Sequence, residues 1–261
     1  MQMVECVGAA RGRAAAVIVA AGRSERFGCP RKQFVTVAGA PILIHTARAL
    51  AASPMIAYVV IVVPPDALEQ VRDNLIPEYA LPKVAAVVAG GDDRQESVYR
   101  GLAALSDDTE WVIIHDGVRP LVTTELIERV LVAARRTGAA TLGVPVRDTI
   151  KQAGPEGTVV RTIDRSGLWR IQTPQAFRVD LILRAHEAAA SGTARFTDDA
   201  GLVEAGGGIV ALVEGDETNI KVTTRSDLVV VESLLSLTAE RDQRGGIPKA
   251  DRPHADRVGI G

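Results

Sequence analysis

Cationic side chains crowd the segment 20–33, directly after a short apolar run. Four of them stand within ten residues: Arg23, Arg26, Arg31 and Lys32. Gly22 precedes them, and a glycine lets the backbone approach a ligand closely and aim its N–H groups at anionic oxygens. The segment therefore predicts phosphate binding, with an ordinary βα turn carrying solvated cations as the alternative. It is not a Walker loop, because Cys29 follows Gly28, and it lacks the three glycines of a dinucleotide fingerprint.

A carboxylate follows a second apolar run, at residues 111–114. His115 and Asp116 come directly after it. Mg²⁺ keeps several waters and takes few protein ligands, so one carboxylate and the phosphates of a nucleotide can hold it. Asp116 is therefore a candidate metal ligand, with capping of the following turn as the alternative. His115 is predicted to be packed or hydrogen-bonded, because no second histidine lies at metal-binding spacing.

Residues 90–98 could contact a nucleotide base. Gly90 and Gly91 permit close backbone approach, and Asp92 and Ser97 offer hydrogen-bonding groups suited to a base edge. A Gly-Gly turn that caps the following helix explains this segment about equally well.

Two further residues could face phosphate late in the chain. Thr197 is predicted at the N-cap of a helix over residues 198–205, and helix N-termini also bind phosphate. Lys221 stands between Ile220 and Val222 in a predicted strand. If buried, its ammonium group requires an anionic partner, which the phosphates of a nucleotide would supply.

Apolar runs of strand length alternate with helical patterns along most of the chain. The predicted strands cover residues 14–20, 58–63, 84–88, 111–114, 139–144 and 209–213. The predicted helices cover residues 41–52, 95–105, 124–137, 181–190, 198–205 and 225–237, with another opening at residues 64–66. This alternation predicts an α/β fold with a doubly wound, mostly parallel, Rossmann-like sheet. Ligands of such sheets bind at the carboxyl ends of the strands, where Gly22 and Asp116 should meet.

Residues 146–168 break the alternation. Two β-prone segments flank the turn-rich residues 153–157, which predicts a projecting β-hairpin arm. A lone hairpin buries too little apolar surface to be stable, so we expect the arm to pack on a second subunit in a homodimer. A single folded domain is predicted over residues 14–238, between a flexible leader at 1–13 and a disordered tail at 239–261.

The composition narrows the classes of partner. The 261 residues are 47% hydrophobic but only 3% aromatic, which favours a core of aliphatic residues. A net charge of -2 gives no global attraction to nucleic acid or to anionic membranes, and no run approaches a membrane span. Two cysteines and a leader without signal-peptide order predict a cytoplasmic protein.

Taken together, the segments resemble the motifs of the 2-C-methyl-D-erythritol 4-phosphate cytidylyltransferase family, within the sugar-phosphate nucleotidyltransferases. The resemblance runs in order to about residue 235. Residues 20–33 resemble A-A-G-x-G-x-R-M…P-K-Q, residues 90–98 resemble G-G-x-x-R-x-x-S-V, and residues 115–120 resemble H-D-A-A-R-P. Four later matches follow: P-V-x-D-T-I-K at 145–151, R-x-x-L-W at 165–169, T-P-Q at 173–175 and N-I-K-V/I-T at 219–223.

The resemblance implies an enzyme that transfers CMP from CTP to a small polyol phosphate, with Mg²⁺ or another divalent cation. The implied catalytic residues are Arg26, Lys32 and Lys221. The implied CTP-binding residues are Ala20, Ala21, Gly22, Ser24, Gly91, Asp92 and Ser97. The implied contacts of the polyol phosphate are Arg119, Thr149, Arg165, Thr173 and Thr197, and Asp116 is the implied metal ligand. The resemblance also implies that the arm is exchanged across a dimer.

The sequence departs from the family pattern at three places. Ser24 replaces a glycine, Arg31 replaces the proline before the lysine, and Gly117-Val118 replaces an Ala-Ala pair. These changes leave the geometry of the first loop open. Two other functions also stay open at this point: a ribitol 5-phosphate cytidylyltransferase, and a nucleotide-binding module without catalysis.

Overall fold

A seven-stranded sheet forms the middle of the fold in a computed structural model, which describes residues 14–22, 31–190 and 196–243. Its strands are β1 (Ala14–Val19), β4 (Ile56–Val63), β5 (Val84–Ala89), β6 (Trp111–Asp116), β7 (Ala139–Pro145), β10 (Trp169–Arg178) and β11 (Val210–Glu214). Their order is β11-β7-β10-β6-β1-β4-β5. All pair in parallel except β10, which is antiparallel to both of its neighbours. The predicted doubly wound, mostly parallel α/β sheet is confirmed.

Helices cover both faces of this sheet. They are α1 (Ile42–Ala52), α2 (Ile76–Glu78), α3 (Arg94–Leu102), α4 (Thr124–Thr137), α5 (Val179–Ala190), α6 (Asp199–Ala205) and α7 (Arg225–Gln243). A 3-10 turn at Pro65–Ala67 and a π-helical segment at Gln70–Leu75 precede α2, where a single helix was predicted. None of the described helices is long and apolar enough to cross a membrane.

Strand β1 shows how the sequence separates two cores. Ala14, Ala16 and Ile18 face the cluster beneath α1 and α4, whereas Val17 faces the cluster beneath α3 and α5. Alternate side chains of a strand point to opposite faces, so an uninterrupted apolar run is what a strand covered on both sides requires.

Strand β10 is the largest difference from the sequence-based expectation. It was not predicted, because polar residues interrupt it and the run contains Pro174. Its register against β7 shifts between Gln172 and Gln175. An irregular stretch of strand that lies between two partners is a place where polar side chains can be turned towards a site.

Three local predictions were wrong. Lys221 lies in an irregular segment before α7, not in a strand. The N-cap of α6 is Asp198, one residue after Thr197, because the Asp198 carboxylate accepts a hydrogen bond from the Gly201 N–H. Helix α7 continues to Gln243, so the first residues of the predicted tail are helical.

The predicted arm is present as the hairpin of β8 (Ile150–Ala153) and β9 (Val159–Ile163). A second small hairpin, β2 (Thr36–Val37) with β3 (Ala40–Pro41), precedes α1. On the arm, Val159 and Val160 are 62% and 63% exposed. Such apolar exposure on a two-stranded ribbon gives it little stability of its own.

Candidate active site

Asp116 is the last residue of β6 and lies beside Val19, the last residue of β1. The Gly117 N–H donates to the Val19 carbonyl at 2.9 Å, so the chain leaves β6 tightly against the start of the first loop. Both strands therefore end at one edge of the sheet, as predicted. Asp116 is 6% exposed, which places its charge in a largely desolvated position.

Three cations surround the Asp116 carboxylate. Lys221 Nζ lies 3.0 Å from Oδ2, Arg119 Nε lies 3.3 Å from Oδ2, and Arg94 Nε lies 3.7 Å from Oδ1. Burial alone would raise the pKa of Asp116, but Lys221, Arg94 and Arg119 together hold that pKa well below its usual value. Asp116 is therefore ionised and fixes three positive groups around one point.

His115 and Thr173 support Asp116 from behind. The Thr173 hydroxyl oxygen accepts from the Asp116 N–H at 3.0 Å and lies 3.0 Å from His115 Nδ1, while His115 Nε2 lies 3.0 Å from the Arg119 carbonyl oxygen. Burial lowers the pKa of His115 to about 4. A neutral ring that donates from Nε2 and accepts at Nδ1 satisfies both contacts. His115 is thus hydrogen-bonded in the interior, as predicted.

Asn219 fixes the segment that carries Lys221. Its side-chain N–H donates to the Thr173 backbone carbonyl at 2.8 Å, and its backbone carbonyl accepts from Arg119 Nη1 at 2.7 Å. The Val222 N–H donates to the Val118 carbonyl at 2.9 Å. Hydrogen bonds on both sides of Lys221 hold the backbone, although the lysine side chain itself is 42% exposed.

A cavity of about 290 Å³ opens above these charges. Its lining combines five charged side chains with residues of β10 and with Thr197, which precedes α6: Arg94, Asp116, Arg119, Ile171, Gln172, Thr173, Gln175, Thr197, Asp198 and Lys221. The cavity brings together five residues singled out from the sequence: Asp116, Arg119, Thr173, Thr197 and Lys221. Net positive lining of this kind suits a small phosphorylated ligand.

The first loop and the Gly90 turn lie against each other beside this cavity. A Cβ on Gly90 would stand 2.3 Å from Ala21 Cβ, and one on Gly117 would stand 2.7 Å from Ala20 Cβ. In this backbone, a side chain at either position would force its neighbours to shift. Gln33 donates to the carbonyls of Ala20 at 2.7 Å and Gly22 at 3.3 Å, which fixes the exit of β1.

The residues that the resemblance assigns to CTP in the turn before α3 make hydrogen bonds mostly within that turn. The Ser97 hydroxyl accepts from the Gly91 N–H at 3.1 Å and donates to the Asp93 carbonyl at 2.7 Å. The Asp92 N–H donates to Glu96 Oε2 at 2.8 Å. These bonds shape the turn before α3, and the predicted roles of Gly91, Asp92 and Ser97 towards cytosine stay predictions.

Among the described residues, Lys32, Thr149 and Arg165 do not line this cavity. Arg26 and Ser24 lie outside the described residues. Lys32 begins a 3-10 turn at Lys32–Phe34, after Arg31 in the left-handed conformation with φ 67°. Thr149 and Arg165 are exposed at the base of the arm, where Arg165 donates to the Arg147 carbonyl. Their predicted contacts with substrate stay predictions.

Arg94 is the charged arginine of the cavity that the sequence-based site lacked, together with Ile171, Gln172, Gln175 and Asp198. It lines the cavity, contacts Asp116 and donates from NH2 to Asp199 Oδ2 at 2.8 Å. Its position inside G-G-x-x-R-x-x-S-V was a signal that could have found it. The pairing itself could not be foreseen, because Asp199 is 105 residues away in the chain.

The arrangement does not fit Asp116 as a direct ligand of a divalent cation. Both of its oxygens already face cations, and a metal ion there would meet three positive side chains. Within residues 14–22, 31–190 and 196–243, no three His, Cys, Asp or Glu side chains are grouped so as to hold a metal ion.

The family model of 2-C-methyl-D-erythritol 4-phosphate cytidylyltransferases matches residues 14–237, which include all the elements of this site. The chain belongs to this family. It is 47% identical over 235 residues to the 2-C-methyl-D-erythritol 4-phosphate cytidylyltransferase of Pelotomaculum thermopropionicum, covering 90% of this chain and 99% of that protein. It is 45% identical to the enzyme of the same name from Desulforamulus reducens, covering 86% and 96% of the two chains.

Solved structures of the family have the same fold. The 2-C-methyl-D-erythritol 4-phosphate cytidylyltransferase of Thermus thermophilus superposes with a TM-score of 0.71 at 36% identity, covering 84% of this chain and 98% of that one. The 4-diphosphocytidyl-2C-methyl-D-erythritol synthase of Anaerococcus prevotii gives a TM-score of 0.75 at 29% identity, covering 86% and 97%. The family identified from the motifs is therefore confirmed, and the chain is an enzyme of the nucleotidyltransferase type.

Proposed function

We propose that this chain transfers CMP from CTP to 2-C-methyl-D-erythritol 4-phosphate, giving 4-diphosphocytidyl-2-C-methyl-D-erythritol and pyrophosphate in the non-mevalonate route to isoprenoid precursors. Family membership supports the reaction. The observation that carries it in this molecule is the cavity where Lys221, Arg119 and Arg94 surround Asp116, next to the loop that ends β1. Its net positive charge suits a substrate that brings its own phosphate.

The reaction requires no nucleophile from the protein. An oxygen of the polyol phosphate attacks the α-phosphorus of CTP, a new P–O bond forms, and the bond between the α-phosphorus and its bridging oxygen breaks. The bridging oxygen takes the electron pair and leaves on pyrophosphate. Because the attacking phosphate is already ionised, the protein contributes orientation and charge stabilisation.

The two substrates are proposed to meet at the carboxyl edge of the sheet. CTP is proposed to bind over Ala20–Gly22 and the Gly90–Gly91 turn. These two segments pack closely, so their backbone groups would be able to contact the nucleotide. The polyol phosphate is proposed to occupy the cavity, within reach of Arg119, Thr197 and Lys221. Arg26, Lys32 and Lys221 then neutralise the negative charge that grows at the α-phosphate and the leaving group.

A divalent cation, Mg²⁺ in the simplest case, is proposed to accompany CTP on its phosphate oxygens, since Mg²⁺ keeps most of its waters and takes few protein ligands. This placement agrees with an Asp116 carboxylate already engaged by Lys221 and Arg119. Asp116 then serves to orient the cations of the cavity.

The arm is proposed to complete the cavity of a second subunit in a homodimer. Thr149 and Arg165 are exposed on the arm, and Val159 and Val160 expose apolar surface that a partner would cover. A cytoplasmic location is proposed from the two cysteines, whose small number suits a reducing compartment.

Pyrophosphate release from the purified protein tests the proposal. We expect release with CTP and 2-C-methyl-D-erythritol 4-phosphate, and far less with ribitol 5-phosphate at the same concentration. Faster release with ribitol 5-phosphate would assign the chain to the other polyol. CTP binding without release from either substrate would leave only a nucleotide-binding module and contradict the proposal.

A further inference from the structure

Arg94 lies between two carboxylates, one in the cavity and one behind it. Its NH2 group donates to Asp199 Oδ2 at 2.8 Å, whereas its Nε lies 3.7 Å from Asp116 Oδ1. The contact with Asp199 is a charge-assisted hydrogen bond, and the contact with Asp116 is longer than one. Asp199 is therefore the group that sets the orientation of the guanidinium.

Asp199 is itself held rigidly. It is 0% exposed, it stands at the first position of α6, and its backbone N–H donates to Gln175 Oε1 at 3.1 Å. Among the described residues, Asp199 Oδ1 has no hydrogen-bond partner, and the nearest ionisable neighbour on that side is His186, whose Nε2 lies 3.9 Å away. Burial lowers the pKa of His186, so its ring is neutral and leaves Arg94 as the compensating charge.

The hydrogen bond to Asp199 restricts how closely Arg94 can approach Asp116. A buried carboxylate without its cation is strongly unfavourable, so Arg94 is kept on Asp199. While Arg94 is kept there, its Nε stays 3.7 Å from Asp116. Without the charge of Asp199, Asp116 and Asp198 are the carboxylates left near Arg94. Asp116 is the one whose oxygen Arg94 Nε already approaches, so the guanidinium would turn to form a close pair with it.

We propose that Asp199 is a positioning residue for the polyol phosphate: it anchors Arg94 at the wall of the cavity and keeps it from closing onto Asp116. The Asp199 side chain lies outside the cavity lining and is hydrogen-bonded to the lining residue Arg94, through which we expect its charge to act. The inference rests on the proposed function, because it assigns the cavity to the polyol phosphate.

A double-mutant cycle tests this role. Asp199→Asn keeps the size of the side chain and removes its charge, and Arg94→Gln removes the cation. We expect Asp199→Asn to lower kcat/KM for the polyol phosphate about 10-fold and to change KM for CTP less than about twofold. In the Arg94→Gln background the same substitution should change kcat/KM less than about twofold, because the group through which it acts is gone. Single-turnover pyrophosphate release measures even slow variants.

Asp180→Asn is the matched control, since Asp180 also stands in the first turn of a helix and pairs with arginines, but on the surface. It should leave both KM values unchanged. An equal loss for both substrates in Asp199→Asn, or a full effect in the Arg94→Gln background, would overturn the proposal and leave Asp199 a purely structural residue.

A measurement without substrate separates this inference from the function. In protein with ¹⁵N-labelled arginine, guanidinium N–H resonances lost in Arg94→Gln belong to Arg94. We expect them to exchange slowly with water in the wild type and to shift in Asp199→Asn. Unchanged resonances in Asp199→Asn would overturn the inference whatever the polyol. Shifted resonances in a protein inactive with both polyols would contradict only the proposed function.

Discussion

The cavity around Asp116 and the arm formed by β8 and β9 differ in the burial of their polar side chains. In the cavity, Asp116 and Arg119 are buried, and each has partners within the same chain. On the arm, Thr149 and Arg165 are exposed, and Val159 adds exposed apolar surface. The cavity is thus preorganised within one chain, whereas the arm has the features of a surface that is completed by a partner.

This difference in burial indicates where the removal of a charge should have a large effect. Charges in a desolvated cavity interact strongly, so removing one of them changes both the chemistry and its neighbours. Charges on an exposed hairpin are screened by solvent and contribute little within their own chain. Removing a charge should therefore have a much larger effect within its own chain in the cavity than on the arm.

The largest effect is expected at Lys221. Replacing it with alanine removes the cation closest to Asp116 and one of the proposed stabilisers of charge at the α-phosphate. We expect kcat at saturating CTP to fall on the order of 10²- to 10³-fold, as for the loss of one oxyanion-hole donor. Steady-state pyrophosphate release gives the value. The exposed Arg136→Ala variant on α4 is the control and should keep wild-type kcat; near-normal turnover in Lys221→Ala would remove Lys221 from the catalytic residues.

Acid should destabilise the cavity through His115. The pKa of His115 falls from 6.5 to about 4 on folding because of burial, so the unfolded state binds more protons between these values. The contribution of His115 to the free energy of unfolding should therefore be fully present above pH 6.5. It should be lost as the pH drops to 4, which lowers the free energy of unfolding by on the order of 3 kcal/mol. Urea denaturation at pH 7 and pH 4.5 measures it.

His115→Gln serves as the reference for this measurement. It keeps one donor and one acceptor but cannot titrate in that range. The variant should therefore lose less stability than the wild type between the two pH values. If both proteins lost the same amount, groups other than His115 would account for the acid sensitivity.

A smaller effect is expected from the glycine after Asp116. Gly117→Ala places a methyl group 2.7 Å from Ala20 Cβ, and we expect a loss of about 1 to 3 kcal/mol from overpacking. Gly154 on the arm is the comparison, because its nearest contact for a new Cβ is 3.3 Å away at the end of the Val160 side chain. Urea denaturation of both variants should show a clear loss only for Gly117→Ala, and equal losses would contradict the contrast in packing.

The smallest effect is expected at the edge of the first loop. Arg31 pairs with Asp66, but their side chains are 36% and 66% exposed. Asp66→Ala should therefore change the free energy of unfolding by less than about 1 kcal/mol. Denaturation at low and high salt measures it. A loss well above this value would mean that the pair holds the loop more firmly than its exposure indicates.

Local signals explain what the sequence predicted correctly. Helix α4 spans Thr124–Thr137, as predicted, because Thr123 caps its start and Gly138 ends it in the left-handed conformation. Asp116 was placed at the carboxyl edge because an apolar run ends there. The family motifs then located Arg119, Thr173, Thr197 and Lys221, which the cavity brings together.

Features that depend on distant partners were missed. The polar Gln172 and Gln175 hid strand β10, since their hydrogen bonds go to Asp216 and Thr141, far away in sequence. The contacts of Arg94 and Lys221 with Asp116 also join distant parts of the chain, whereas Arg119 is only three residues from Asp116. The replacement of proline by Arg31 also acquires a structural meaning, because a φ of 67° is inaccessible to proline.

Mixing two impaired variants tests the central claim most directly, namely that the cavity of one chain is completed by the arm of another. We expect Arg165→Ala, like Lys221→Ala, to be strongly impaired on its own. Lys221→Ala and Arg165→Ala subunits, unfolded together and refolded at equal amounts, would form mixed dimers in half of the cases. If Arg165 acts in the partner's cavity, one site of each mixed dimer is intact, and we expect about a quarter of the wild-type rate of pyrophosphate release. A rate no higher than the average of the two variants alone would show that Arg165 does not act across the dimer and would contradict the account.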